Sequence, residues 1–188
     1  MLSKFNNFIQ TKASGRVVLV FFVIAIVSMW VMAGVITPAF QDATNGLRPF
    51  DLNIGITAED MYRDLPAYSD RSRTLYVWFA IADYIYPLAA GAFFSLLWAW
   101  MFNKVPTPLF NRMAAAGILL FPFLYSLVDW SENAGFLLVV FSYPNELPVI
   151  ADLAGALKKT KPFVLLMVVA LTVIFAVTAV WQARRTKH

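Results

Sequence analysis

Cysteine is absent from the 188 residues, which removes disulfides, thiol nucleophiles, Cys-ligated metals and dithiol relays together. The one histidine, His188, is the last residue, so a Ser/His/Asp triad, paired-histidine haem ligation and His-box diiron chemistry lack their essential side chain. Charge is scarce as well. Only 14% of residues are charged and 60% are hydrophobic, against about a quarter and about half in soluble domains. The chemistry left to the chain is that of carboxylates, amides, hydroxyls and aromatics. The formal net charge is +4, but the basic residues gather at the ends of apolar runs, where membrane topology alone places them. No basic stripe with interleaved stacking aromatics points to nucleic acid.

What the sequence has instead is long apolar runs. A bilayer core of about 30 Å takes about 20 residues of helix, and four runs of that kind are present, at about 17–38, 75–102, 113–141 and 162–181. The first exceeds a signal-peptide core of about 7 to 15 residues and has no clean A-x-A site after it, so it is expected to be a retained anchor. Pro162 suits a first helical position, where its missing N–H costs nothing. The expectation is an all-α integral membrane protein: one transmembrane domain over 1–188, built as a four-helix transmembrane bundle. It carries short amphipathic interfacial helices in its two outer loops. Membrane lipids are the expected partners, and a homo-oligomer is compatible with the pattern.

Four spans put both termini on one side. With that side inside, the inner segments carry Lys4, Lys12, Arg16, Lys104, Arg112, Arg184, Arg185 and Lys187, and the longer outer segments carry Arg48, Arg63, Arg71, Arg73, Lys158, Lys159 and Lys161. The density of positive charge therefore favours cytoplasmic termini in a multi-pass cell-membrane protein. The first outer loop, 39–74, is long enough to hold structure of its own. GLRPFDLNIG reads as turns, and ITAEDMYRDL as a short helix capped by Thr57, with Glu59 and Asp60 at its positive end. In the second outer segment Val149, Ile150, Leu153, Ala154 and Leu157 form an apolar helical face. Either short helix packs on the membrane surface or caps a pocket between the spans. Trp98, Trp100 and Trp181 are expected in the interfacial belt.

Three carboxylates fall inside these spans: Asp83 in the second, Asp129 and Glu132 in the third. Counted from the outer helix ends, Asp83 and Glu132 lie about 15 Å down and Asp129 about one turn deeper, so the three can meet at one level. Asp129, Glu132 and Asn133 share a helix face through their spacings of three and four, and Tyr125 extends that face by a turn. Three ionised carboxylates facing lipid would oppose insertion by about 8 to 10 kcal/mol, so they are expected to face inward. No basic residue is placed at that depth by the sequence, which leaves Arg48, Arg71 or Arg73 to reach in by snorkelling.

Three roles stay open for this cluster. Glu132, Asp129 and Asp83 are candidate catalytic acids and bases in a lipid or isoprenoid pocket, with Asn133, Tyr125, Trp130, Tyr84, Tyr86, Arg48, Arg71 and Arg73 binding the ligand. Alternatively the cluster binds a proton or a hard cation in a small transporter or sensor. The third role is an interhelical hydrogen-bond lock. No metal ligand set or cofactor is predicted, although an oxygen-rich cluster of this kind suits a hard cation.

The order RPFDLNIG at 48–55, Asp83 followed by Pro87, and DWSEN at 129–133 resembles a group of small four-span prokaryotic membrane proteins. These share an F-D pair, an Asp-to-Pro segment in the second helix and D-x-x-E-N in the third. The resemblance implies the fold and the place of the site and carries no activity. The acids, asparagine and tryptophans also resemble those of sterol isomerase-like membrane proteins, but the intramembrane histidine expected there is missing. A reporter fused after residue 188 is expected to be active only if it functions in the cytoplasm; periplasmic activity inverts the map.

Overall fold

The computed structural model describes residues 2–185, so His188 lies outside them. Among these residues the chain is all-α and has no strands. Three helical stretches are long and apolar enough to cross a membrane, at Gly15–Ala43, Asp70–Lys104 and Pro148–Arg185, and there are four if the bent pair Pro108–Ala115 and Ile118–Ser142 is counted as one span. By helix length and hydropathy this is a multi-pass membrane protein.

The helices are α1 (Leu2–Lys12), α2 (Gly15–Trp30), α3 (Thr37–Ala43), α4 (Ala58–Asp64), α5 (Asp70–Lys104), α6 (Pro108–Ala115), α7 (Phe123–Ser142) and α8 (Pro148–Arg185). A π-helical turn, Val31–Ile36, joins α2 to α3. Pro38 has no N–H to offer the carbonyl four residues back. Thr37 closes the π-helical turn just before it, its amide and its hydroxyl both donating to the Met32 carbonyl, the hydroxyl at 2.7 Å.

Three features depart from the sequence reading. The third span is broken, not straight. α6 and the stretch Ile118–Ser142 meet at 63°, around Gly117 with φ +84° and Pro122. Second, α8 runs unbroken through Pro162. The expected amphipathic helix over 149–157 is therefore its first part, and Pro162 opens no helix. A proline within a helix costs one backbone bond locally, which membrane helices tolerate. Third, α1 was not foreseen. Leu2, Phe5 and Ile9 recur at helical spacing, the signal that would have found it.

The chain divides into two compact units. Among the described residues one comprises 2–24, 88–126 and 163–185. Its core centres on Phe102, stacked on Phe110 at 4.3 Å, with Phe175 and Trp98 edge-to-face at 4.9 Å. Trp98 is fully buried and its indole N–H donates to Thr172 at 2.8 Å. It is thus a core residue and not part of an interfacial belt.

The other unit comprises 25–87 and 127–162. α4 forms as the sequence predicts: Thr57 accepts from the Asp60 amide at 3.2 Å and Asp60 accepts from the Thr57 amide at 3.1 Å, a reciprocal capping box. Met61 and Leu65 bury one face of it against an aromatic cluster. Phe50 occupies the centre of that cluster, 5.6 Å from Tyr68, 5.9 Å from Tyr76 and 6.0 Å from Phe136.

α7 and α8 approach closely where Gly135 faces Ala154. A Cβ built on Gly135 would stand 2.8 Å from that of Ala154, and neither atom has a flexible end to move. Gly135→Ala is expected to destabilise the protein by about 1–3 kcal/mol through overpacking, read as a lower denaturation midpoint in detergent. Adding Ala154→Gly should recover most of the loss.

Candidate functional site

The site grows from four segments of the second unit. The turn Phe50–Leu52 holds Asp51 in place through the buried Phe50. α5 contributes Asp83. α7 contributes Asp129, Glu132 and Asn133 from the one face that their spacing defines. The first part of α8 contributes Lys158 and Lys161, separated by three residues and so also on one face.

The side chains of these residues meet in the interior. Asp83, Asp129, Glu132 and Asn133 are exposed by 2%, 1%, 0% and 4%. The Asn133 amide donates to Asp83 Oδ2 at 2.8 Å and to Asp129 Oδ1 at 2.9 Å, so one amide NH2 group joins two carboxyls on different helices. Lys161 Nζ lies 2.6 Å from Asp51 Oδ1, 3.0 Å from Asp129 Oδ2 and 3.1 Å from Glu132 Oε2. Lys158 Nζ lies 3.5 Å from both Asp51 Oδ1 and Glu132 Oε1 and donates to the Asp51 carbonyl. Glu132 thus lies within ion-pair distance of both lysines, although neither of its oxygens has a hydrogen bond of good geometry.

Asp51 lies outside the spans. Burial acts to raise its pKa, but the adjoining Glu132 carboxyl and the ammonium groups of Lys161 and Lys158 outweigh burial and hold it well below the usual carboxylate range. A carboxyl depressed by folding contributes stability above its unfolded value, near 3.8, and loses it as pH falls towards the lowered folded value. Asp51 is therefore an anion throughout the neutral range.

The structure brings Asp83, Asp129, Glu132 and Asn133 together, and it corrects the source of positive charge. Arg48 and Arg71 are exposed, and Arg73 donates to the Val140 carbonyl near the end of α7. None of the three forms an ion pair with the cluster among the described residues. The lysines of α8 take that place. The estimate that no cation stands at this depth treated helix ends as membrane surfaces. α5 and α8, at about 52 and 57 Å, overrun a core of about 30 Å, and Lys161 directly precedes the apolar stretch from Pro162. The ion-paired level coincides with the start of that stretch.

The aromatics expected around the acids are dispersed. The Trp130 indole donates to the Tyr84 carbonyl at 2.9 Å and the Tyr84 hydroxyl donates to the Trp130 carbonyl at 3.4 Å, a mutual clasp between α5 and α7. Tyr86 packs against the cluster of Met32, Ile36 and Phe79. Tyr125 is buried one turn before Asp129 and belongs to the first unit.

Asp51, Lys158 and Lys161 are the members that sequence reasoning passed over. RPFDLNIG supplied a signal in Phe50–Asp51, an apolar anchor followed by an acid. The lysines supplied another in their spacing of three. Among the described residues no group of three or more His, Cys, Asp or Glu is arranged to hold a metal ion.

The chain matches no protein-family model, no curated protein and no solved structure.

Removing one partner of a buried ion pair costs about 3–5 kcal/mol because the other charge is left uncompensated. Lys161→Met is expected to lose that much stability. Lys159→Met, two positions away and exposed, should shift the denaturation midpoint by no more than the about 0.5 kcal/mol of an ordinary surface change.

Proposed function

We propose that the cluster is a proton-exchanging site in a multi-pass membrane protein, serving transport or sensing. One observation carries the reading. Four carboxyls, of Asp51, Asp83, Asp129 and Glu132, converge in a buried site with two ammonium groups, of Lys158 and Lys161. If all were ionised, the site would hold two unbalanced negative charges away from water. Buried charge of that kind is neutralised by protonation or by a counter-ion.

The surroundings of the four support different roles. Asp51 is held as an anion by both lysines. Asp129 has Lys161 on one oxygen and Asn133 on the other. Asp83 accepts from Asn133, and no ammonium group lies within ion-pair distance of it among the described residues. We assign one balancing proton to Asp83. Glu132 shares both lysines with Asp51 and is the member whose proton can leave, because the lysines then take up the released charge. Asn133 orients Asp83 and Asp129 relative to each other.

Acid and base work on a lipid-like ligand, the competing role, has less support, since the carboxyls already carry protein partners. A lock between helices makes the opposite prediction about protons. Infrared difference spectroscopy on the protein in lipid, with a pH step across the neutral range, distinguishes them. The expected result is a protonated-carboxyl C=O band that disappears as pH rises and is missing in Glu132→Gln. A spectrum with no titrating carboxyl, combined with a Glu132→Gln variant that differs only in stability, overturns the proposal in favour of the lock.

A further inference from the structure

The first unit holds an apolar groove of about 450 Å³, within the size range of ligand sites. α1 forms one wall with Phe5, Phe8 and Ile9, and Leu88, Ala92 and Leu96 of α5 form another. Ser95 also lines it, but the Ser95 hydroxyl donates to the Leu119 carbonyl at 2.6 Å, so its polar group is already satisfied. The wall residues of α5 span eight positions, about 12 Å along the helix axis. Such a groove suits an extended hydrocarbon chain.

Its rim is basic. Lys12 lines the groove and is exposed. Lys4 and Arg16 are its nearest charged neighbours in the chain, and the first acidic residue is Asp42. α1 itself leaves Leu2, Phe5 and Phe8 exposed by 72%, 42% and 55%. A short helix with apolar residues turned outward and only basic charges lies in the membrane interface, where its cations meet lipid phosphates.

We infer that the groove between α1 and α5 binds one acyl chain of an anionic phospholipid, with the Lys12 ammonium pairing with the lipid phosphate. The groove belongs to the first unit, and the inference does not depend on the role of the carboxylate cluster. The hydrocarbon wall selects a lipid over a free phosphate, and the acid-free basic rim selects an anionic lipid over a zwitterionic one.

The test is native mass spectrometry on protein released from nanodiscs made of equimolar phosphatidylglycerol and phosphatidylcholine. The wild type is expected to retain phosphatidylglycerol preferentially. Lys12→Ala should lower that retention about fivefold, the effect of one basic residue at a membrane surface. Ala92→Phe, which fills the groove and leaves the charge, should abolish it. Lys104→Ala, an exposed lysine outside the groove, should leave it unchanged. Equal retention of the two lipids means annular lipid only and overturns the proposal. So does an equal loss in Lys104→Ala and Lys12→Ala, or retention that survives both Lys12→Ala and Ala92→Phe. Lys12 is exposed, so its replacement reads binding without disturbing the fold.

Discussion

The second unit depends on a single ammonium group. Lys161 Nζ stands within 3.1 Å of carboxyl oxygens from the 50–52 turn and from two positions of α7, and Lys158 reinforces two of those contacts. Buried charges are tolerated only when paired, so the turn, α7 and α8 must keep their mutual register for any of these groups to remain ionised. Asn133 brings α5 into the same arrangement through Asp83. Hydrophobic packing joins the same segments, with Phe50 of the turn, Tyr76 of α5 and Phe136 of α7 in one buried cluster.

A network of this kind has two properties that an apolar core lacks. It specifies one arrangement of helices, because a slip of any partner strands a charge. It also makes the occupancy of protons part of the structure, since four carboxyls and two lysines balance only when protons are included. These properties belong together: the same excess of acid on which the proposed proton exchange rests would destabilise the site if Lys158 or Lys161 were elsewhere.

Much of this was legible from residue patterns, and the exceptions have physical causes. The all-α class and the apolar runs follow from composition and from helix length against bilayer thickness. The shared face of Asp129, Glu132 and Asn133 follows from helix periodicity, and the Thr57 cap from its neighbours Glu59 and Asp60. The pairing of the acids was hidden because it is a tertiary contact. Lys158 and Lys161 are distant in sequence from Asp129 and Glu132, and a proline at 162 reads locally as a helix start although the helix continues through it. Likewise Trp98 resembles an interfacial residue until Thr172 is seen to satisfy its indole. Length misled in the same direction: long helices invite the assumption that their ends mark the membrane surface.

The neighbouring residues Phe50 and Asp51 fasten one loop by two unlike means. Phe50 is held by aromatic packing, which strengthens as water is warmed from the cold and involves no titrating group. Asp51 is held by ammonium groups, through forces that acid removes by titration and that burial shields from salt. The segment thus has two fastenings with separate sensitivities, and loosening one leaves the other in place. Cooling acts on the aromatic hold and acid on the ionic one, so the two fastenings of this loop answer to different stresses.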